Sequence, residues 1–433
     1  MLILFKRNLF SVFLALSAGL LASAGIASAS ERGFAPIPVN YSLLEPPRFF
    51  TRSNDVSQSS PVKIEWSGYV GLEARIFPDD PLFPVQQGDS SSIAFQPEYY
   101  REWNDGRSSL TIEPFLRIDS GDDERSHADI RELMWLTVGD DWELRAGVGK
   151  VFWGVTESQH LVDIINQTDL VENIDGEEKL GQMMIDLSLI RDWGTLDLFI
   201  LPGFRERTFP GMEGRLRTPL VVDTDQANYE SSREEKRIDY AIRWFNLLGD
   251  WEVGLAYFNG TSRIPQFVQT GSVLTPYYAL LQQSSLDAQL TLDAWLWKIE
   301  AVSRRIEGEY SSALTGGFEY TQAALWDSDV DLGLLVEYLF DDQGTLALTP
   351  FEDDVLFGAR LALNDIQGSE LLAGVIQDLD SDTMAYLLEA SRRIGDSWKL
   401  EVEVRLYDNV ATDDFLYAFR QDDLIQMELR RYF

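Results

Sequence analysis

Apolar and polar residues alternate one by one along much of this chain, over segments that match the roughly 9–11 residues a tilted strand needs to cross a bilayer. A period of two is that of a β-strand, whose side chains point in turn to two opposite faces. In 398–407 one face is Trp398, Leu400, Val402, Val404 and Leu406, and the other is Lys399, Glu401, Glu403, Arg405 and Tyr407. Residues 64–76 alternate in the same way. The pattern predicts an all-β fold.

The setting of such a sheet depends on what covers its apolar face. After the first thirty residues no stretch is apolar for the roughly 20 residues that a membrane-spanning helix needs. A protein that crosses a membrane with strands must close its sheet, because lipid cannot satisfy the hydrogen bonds of an open edge. A soluble sandwich also alternates, but in a barrel the apolar face meets lipid and the polar face lines a wet lumen. One strand does not distinguish these two settings.

The connections between strands favour the barrel, because outer-membrane barrels alternate short periplasmic turns with long extracellular loops. Tight turns are expected at Asn104–Gly106, Gly139–Asp141, Arg191–Gly194, Leu248–Asp250, Leu292–Ala294, Asp327–Asp329, Asn364–Ser369 and Gly395–Ser397. Longer or acidic connections lie near 78–88, 119–126, 155–180, 205–234, 262–282, 307–312, 342–353, 379–382 and 409–420. Eight turns and nine loops predict a transmembrane antiparallel up-and-down β-barrel of eighteen strands with both ends on the periplasmic side. Sixteen strands are the alternative if two weak strands around 89–103 do not form.

Tryptophan follows several of the tight turns at once. Trp142, Trp193, Trp251 and Trp398 each come directly after a predicted turn, and Trp295 lies close behind another. Aromatic girdles at both interfaces are typical of transmembrane barrels. The repetition favours such a girdle over scattered core anchors in a soluble fold.

The N-terminus predicts export. Lys6 and Arg7 precede an apolar stretch at 9–21, and small residues follow up to Ala29, which is the pattern of a cleaved signal peptide. We therefore divide the chain into a signal peptide (1–29), an irregular periplasmic segment rich in Pro and Ser (30–60) and the barrel (61–433). The predicted location is the outer membrane of a Gram-negative bacterium.

The charge balance and the absence of cysteine exclude some classes. Without Lys6 and Arg7 of the predicted signal peptide, 34 basic residues face 71 acidic ones, since 36 less 2 leaves 34. A net charge this negative argues against nucleic acid as a partner. With no cysteine, the fold cannot rely on disulfides.

The last strand carries a positional signal. Met427, Leu429 and Phe433 share one face with Ile425, and the chain ends on the aromatic residue. This resembles the terminal strand signal of outer-membrane proteins, which implies recognition by the barrel-assembly machinery. Outer-membrane lipid and lipopolysaccharide are the other partners expected for the outer face.

Charged residues occupy the face that would line the lumen. The candidate pore-lining or constriction residues are Glu73, Arg75, Glu113, Arg117, Glu143, Arg145, Lys150, Arg243, Lys298, Glu300, Glu401, Glu403, Arg405, Glu428 and Arg430. Rows of carboxylate and guanidinium would place a transverse field across a hydrated pore. Alternatively, the same pairs only stabilise a wet interior.

The connection at 155–183 is too long for a simple loop. Leu161, Ile164, Ile165, Leu170 and Val171 follow helical spacing. The segment is expected either to form a short helix that narrows the lumen or to lie over the outer mouth as a lid.

Residues around this loop resemble porin-like barrels of the alginate-export type and related uncharacterised outer-membrane barrels. The similarity rests on Gly147, Gly149, Lys150, Trp153 and Gly154, on Asn166 and Asp169, and on Leu201–Arg205. The resemblance implies transport of an anionic or carbohydrate solute. Gln167 stands where such families have proline.

These features predict a porin-like channel for passive or weakly selective diffusion of small hydrophilic solutes, with mild preference for cations. One alternative is a non-conducting barrel whose loops bind a partner, polysaccharide or divalent cations, and another is a soluble secreted β-protein. We expect no enzyme, because His127 and His160 lack a neighbouring hydrolase motif.

No cofactor is predicted and no metal residues are assigned. Acidic loop clusters such as Asp119–Glu124 and Asp378–Asp382 offer oxygens that Ca²⁺ prefers, although none has EF-hand spacing. Solvated acidic loops are the alternative interpretation.

Overall fold

The computed structural model describes residues 62–344, 347 and 349–433. The predicted signal peptide (1–29) and the irregular segment (30–60) lie outside the described residues. No described helix is long and apolar enough to span a membrane.

Eighteen long strands form the wall. They are β1 (Lys63–Ile76), β2 (Ser90–Trp103), β3 (Ser108–Asp119), β4 (Ala128–Val138), β5 (Trp142–Gly149), β6 (Gln182–Arg191), β7 (Gly194–Pro202), β10 (Ile238–Leu248), β11 (Trp251–Thr261), β14 (Leu280–Leu292), β15 (Trp295–Ile306), β16 (Glu309–Gln322), β17 (Asp331–Asp341), β18 (Asp353–Ala362), β19 (Glu370–Asp378), β20 (Met384–Ile394), β21 (Trp398–Asp408) and β22 (Leu424–Tyr432). Four shorter strands belong to connections: β8 (Val221–Val222), β9 (Asn228–Tyr229), β12 (Gln266–Thr270) and β13 (Val273–Tyr278). Short 3₁₀ turns lie at Asp123–Arg125, Thr224–Gln226, Glu234–Lys236, Leu325–Asp327 and Phe415–Phe419.

The wall is a closed antiparallel sheet. Each wall strand pairs with its neighbour in the chain, and the last pairs with the first through contacts such as Leu72 with Leu429. The uncertain region at 89–103 forms β2, a single strand of 14 residues. The prediction of eighteen strands is therefore confirmed over sixteen.

Strand ends alternate between a turn end and a loop end, as predicted. The turn end carries both ends of the described chain, and the loop end carries long connections at 150–181 and 203–237. One predicted loop is wrong: 307–312 is a two-residue hairpin turn. Glu307 and Gly308 both have positive φ, which is the backbone form that suits a tight hairpin.

The outer face of the wall is apolar. Trp66, Leu72, Ile118 and Phe357 are each more than half exposed. The tryptophans after the predicted turns are also exposed at the turn end, between 37% for Trp142 and 52% for Trp193. An apolar belt bordered by aromatic residues is the surface that a membrane-spanning barrel presents to lipid.

The inner face is less uniformly polar than the sequence analysis supposed. Phe199 and Leu201 on β7 and Phe258 on β11 point inward and are buried. Trp153 and Ile165 of the connection between β5 and β6 pack against this surface. An apolar patch on the inner wall thus gives the long connection a place to pack inside the barrel.

Candidate functional site: the lumen and its constriction

The lumen is narrowed by residues 150–181, which we call the constriction loop. The segment contains turns and an isolated bridge between Thr168 and Lys179, and the predicted helix is wrong. Asn166 explains part of the difference, because its side chain makes hydrogen bonds with backbone groups that a helix would have paired with one another. Its amide donates to the carbonyls of Gly149 and Leu180, and its oxygen accepts from the Val151 N–H.

Glu300 of β15 fixes the first half of the constriction loop. The carboxylate is fully buried and accepts hydrogen bonds from the Val155 N–H at 2.7 Å and the Thr156 N–H at 3.0 Å. The Thr156 hydroxyl donates at 2.7 Å, and the Val162 N–H donates to the second oxygen at 3.2 Å. A wall carboxylate thus replaces the backbone partners that this irregular segment lacks.

Glu337 of β17 binds the tip of the loop in a similar way. It accepts from the Glu157 N–H at 2.8 Å, and from the backbone N–H and the hydroxyl of Ser158 at 2.9 and 2.7 Å. Charge-assisted hydrogen bonds of this kind are stronger than neutral ones. Two wall carboxylates therefore hold residues 155–162 against β15 and β17.

Glu157 at the tip reaches the far wall. Its carboxylate lies 2.7 Å from Nη2 of Arg360 on β18 and 3.7 Å from Nζ of Lys298 on β15. Nine successive pairings lead from β5 to β18, which is therefore halfway around the wall of eighteen strands. The constriction loop, which leaves β5, therefore crosses the whole lumen.

The second half of the constriction loop returns to the opposite side. Glu172 lies 2.8 Å from Nη2 of Arg117 on β3, and its carbonyl accepts from Arg75 on β1. Glu73 lies within 3.2 Å of both arginines and 2.9 Å from Arg125. These five side chains are almost fully buried, so they form a fixed charged network with the wall.

A further contact joins this half to β21. Asp175 lies 3.0 Å from Nη2 of Arg405, and the Asn173 amide donates to Glu403 at 2.9 Å. The loop is therefore fixed to the wall at three places, two of them on neighbouring parts of the wall and the third on the opposite side. Of the two predicted placements, the structure shows the one inside the lumen.

His160 links the two halves of the constriction loop. Nε2 lies 3.1 Å from Glu177, and Nδ1 lies 3.6 Å from Glu300. Burial alone would lower the pKa of His160, but hydrogen bonds and charge from Glu177 and Glu300 raise the pKa to about 10. This histidine is mostly buried.

The other predicted pore-lining residues lie inside the barrel in separate pairs. Arg243 is 2.7 Å from Asp287, and Arg145 is 3.6 Å from Glu143. Near β22, Arg430 is 2.9 Å from Glu401 and 2.7 Å from Glu428. The structure does not gather the fifteen predicted residues into one site.

Lys150 and Glu113 differ from the rest of that set. In the described part of the chain, Lys150 has no ion pair within 4 Å, and Glu113 accepts only from the Gln96 amide at 3.2 Å. These two side chains are therefore not held in the close ion pairs that the rest of the set forms.

Sequence reasoning missed several residues that shape the constriction. Arg360 and Asp287 lie on strands, and the alternation of β18 and β14 would have placed both inward. Glu157 and Glu172 lie in the constriction loop, where no alternation of strand type assigns a side chain to the inner face. Their roles depend on contacts with strands that are far away in sequence.

A second long connection, 203–237, covers part of the loop end. Arg215 donates to Asp422 at 2.6 Å, and Gly211 donates its N–H to Asp122. The Thr208 hydroxyl donates to Asp169 of the constriction loop at 2.6 Å. The entrance from this end is therefore narrower than the wall alone would leave it.

The charge of the constriction is negative. Residues 150–181 carry seven carboxylates, against Lys150, Lys179 and the charged His160. The seven are Glu157, Asp163, Asp169, Glu172, Asp175, Glu177 and Glu178. Across the described ranges, no three His, Asp or Glu side chains are grouped to hold a metal ion.

The chain was compared with known proteins. No protein-family model and no curated protein matches it. Among solved structures, a mutant of the Rh. blastica porin is similar with a TM-score of 0.42 and 12% identity, over 86% of this chain and 100% of that one. OmpT, an outer-membrane protein of Vibrio cholerae in its trimer form, is similar with a TM-score of 0.44 and 11% identity, over the same shares.

The features of the barrel itself define its class. Eighteen antiparallel strands close without an edge, the outer face is an apolar belt with exposed tryptophans, and the inner face carries fixed charges. Closed sheets with such a belt are the form in which strands cross the outer membrane. The chain is a closed eighteen-stranded antiparallel β-barrel with the outer surface of a membrane-spanning barrel.

Proposed function

We propose that the barrel is a channel for passive, weakly selective diffusion of small hydrophilic solutes. The observation that carries this proposal is the constriction loop, which crosses the lumen and is held by buried charge contacts with three parts of the wall. A loop fixed in this way narrows a passage lined by polar side chains. Charged rings and constrictions are how pores select among solutes.

We further propose a mild preference for cations. The constriction loop has more carboxylates than cationic groups, and further inward-facing carboxylates such as Asp186 and Glu389 line the wall. The resemblance to alginate-export barrels would instead imply an anionic or carbohydrate solute. Arg145, a lumen arginine that could bind such a solute, is paired with Glu143.

No enzymatic activity is expected from this arrangement. His127 lies against Asp169 and Glu172, and His160 lies against Glu177 and Glu300. A histidine between two carboxylates is suited to bridging them, whereas a general base for a nucleophile needs a hydroxyl or thiol within reach.

Single-channel recording of the refolded protein tests the proposal. Stepwise currents in a planar bilayer are expected, and a reversal potential across a salt gradient should show cation preference. Absence of current steps from a verified folded barrel would contradict the channel. A reversal potential that favours anions would contradict the selectivity alone.

A second candidate is a non-conducting barrel whose loops bind a partner, a polysaccharide or divalent cations such as Ca²⁺. The connection 203–237 favours it, because contacts with Asp122 and Asp422 bring this connection over the loop end. Single-channel recording distinguishes the two candidates. A binding barrel would pass no current in the bilayer, while its loops would retain a ligand. Protection of the loops from protease by Ca²⁺ would support this alternative.

A further inference from the structure

The outer wall contains an interruption of the sheet between β2 and β3. These two strands pair on both sides of a gap, in which residues 96–98 of β2 and 113–115 of β3 do not pair with each other. By the register on either side, Pro97 falls opposite Pro114. Neither proline has the N–H that a ladder hydrogen bond requires. The register of β3 with β4 also shifts between Glu113 and Pro114, so the wall is irregular here on two sides.

A groove of about 780 Å³ lies at this interruption. Its outward-facing lining includes Phe95, Leu116, Ile130 and Met183, which expose between 41% and 52% of their surface. This volume is within the roughly 300–1,000 Å³ of typical small-molecule sites. Because its lining belongs to the apolar belt, the groove opens to the hydrocarbon of the bilayer.

The floor of the groove is Phe115. Its ring is 4% exposed and has Arg131 4.4 Å from its centroid on the lumen side. One aromatic ring therefore separates the apolar groove from the charged network of the lumen. The prolines on either side make the recess rigid, so the groove is preformed and not opened by a side-chain rotation.

The loop end of the groove carries a cation. Arg205, just after β7, donates to Asp129 at 2.9 Å and to the Gly181 carbonyl at 2.9 Å. Its side chain is 35% exposed and is part of the groove lining. The site thus joins an apolar trough with an exposed guanidinium at the level where lipid head groups begin.

We propose that this groove binds one acyl chain of an outer-leaflet lipid, with the anionic head group of that lipid at Arg205. The lining matches hydrocarbon, and the guanidinium matches a phosphate or carboxylate in charge and geometry. A neighbouring barrel is a poorer occupant, because two convex walls touch beside a recess and do not reach its floor. The proposal rests on the membrane location and does not depend on conduction.

Photolabelling in lipid bilayers tests this site. The full-length mature barrel is reconstituted with a trace of phospholipid that carries a diazirine on one acyl chain, irradiated and digested. We expect labels on Met183, Leu116 and Ile130 to exceed, several-fold, those on belt residues elsewhere such as Leu255. Labelling that is uniform around the belt would overturn the proposal.

Matched variants separate filling of the groove from a general change of the wall. Val148→Trp places an indole in the groove, and Ala146→Trp places one on the same face of the same strand, beside it. V148W should reduce the Met183 label several-fold while A146W leaves it unchanged. Equal labelling in both variants refutes the site. Unheated gel mobility confirms that each variant is folded.

A second comparison tests the proposed contact between the lipid head group and Arg205. Diazirine lipids with anionic phosphatidylglycerol and zwitterionic phosphatidylcholine heads are used side by side. The wild type should label more with the anionic lipid, and Arg205→Gln should remove that difference while groove labelling persists. Free inorganic phosphate should not compete, since the acyl chain supplies most of the contact. A preference unchanged in R205Q, or lost to free phosphate, contradicts this assignment.

Discussion

Glu300→Gln should release the first half of the constriction loop without unfolding the barrel. In the wild type, one buried carboxylate accepts four hydrogen bonds from Val155, Thr156 and Val162. Glutamine has nearly the same size, so the wall is kept, but it has one acceptor oxygen and presents an NH₂ group where the other oxygen was. At least the bond from Val162 is lost, and the remaining bonds become neutral.

The magnitude follows from those four bonds. Hydrogen bonds to a charged group contribute about 1.5–3 kcal/mol each, and neutral ones about 0.5–1.5 kcal/mol. Losing one bond and weakening three therefore costs on the order of 5 kcal/mol before the loop relaxes. Since each 1.4 kcal/mol is about tenfold in an equilibrium, partial relaxation leaves an expected increase of roughly 10²–10³-fold in loop opening.

Amide hydrogen exchange measures that opening directly. The N–H groups of Val155, Thr156 and Val162 should exchange faster in E300Q, and single-channel current should become noisier with a larger mean conductance. Glu252→Gln is the matched control, because Glu252 also faces the lumen but is bonded to Gln289 of the wall. Exchange at the three amides that stays within a few-fold of the wild type and the control would refute the proposed role of Glu300.

Three further predictions concern charge and assembly. The pKa of His160 is raised to about 10. The charged imidazole therefore contributes fully to the stability of the constriction loop below a pH of about 6.5, the ordinary pKa of histidine, and this contribution is lost as pH rises through about 10. Channel noise should therefore be constant below about pH 6 and increase progressively between about pH 6.5 and 10, and in His160→Gln that increase should be absent. Arg360→Gln frees the Glu157 carboxylate at the constriction and should shift the reversal potential toward cations, whereas Arg191→Gln at the turn end should not. Deletion of Phe433, which is 56% exposed on the outer face, should slow barrel assembly, as judged by the fraction of unheated protein with folded gel mobility; assembly at the wild-type rate would contradict its role as a signal.

The wall could be predicted from the sequence because the alternation of apolar and polar residues in each strand indicates which side chains face outward and which face the lumen. In β22, Met427 and Leu429 face outward while Glu428 lies buried inside, as their alternation predicts. The strand count followed from turn chemistry. The hairpin at Glu307 and Gly308 was mistaken for a loop because an acidic residue suggested solvent, whereas its glycine marks a tight turn.

The constriction could not be predicted to the same degree. The spacing of Leu161, Ile164 and Ile165 correctly indicated burial, but burial against the inner wall requires no helix. Asn166 takes the backbone contacts that a helix would have made, and Glu300 supplies the rest from a strand more than a hundred residues away. Partners of this kind leave no pattern in either segment alone.

The contacts that hold the constriction loop also limit what can tune the pore. Glu300, Glu337 and Arg117 are saturated by the loop, so their substitution should change its position before it changes the charge that a solute meets. Lys150 and Glu113 have no such role, and they lie on the side of the lumen where the loop begins. Substitution of these two residues should therefore change selectivity most directly, whereas substitution of the buried Glu300, Glu337 or Arg117 should change conductance. The fixed loop thus determines the size of the passage, and the two unanchored charges determine its preference among solutes.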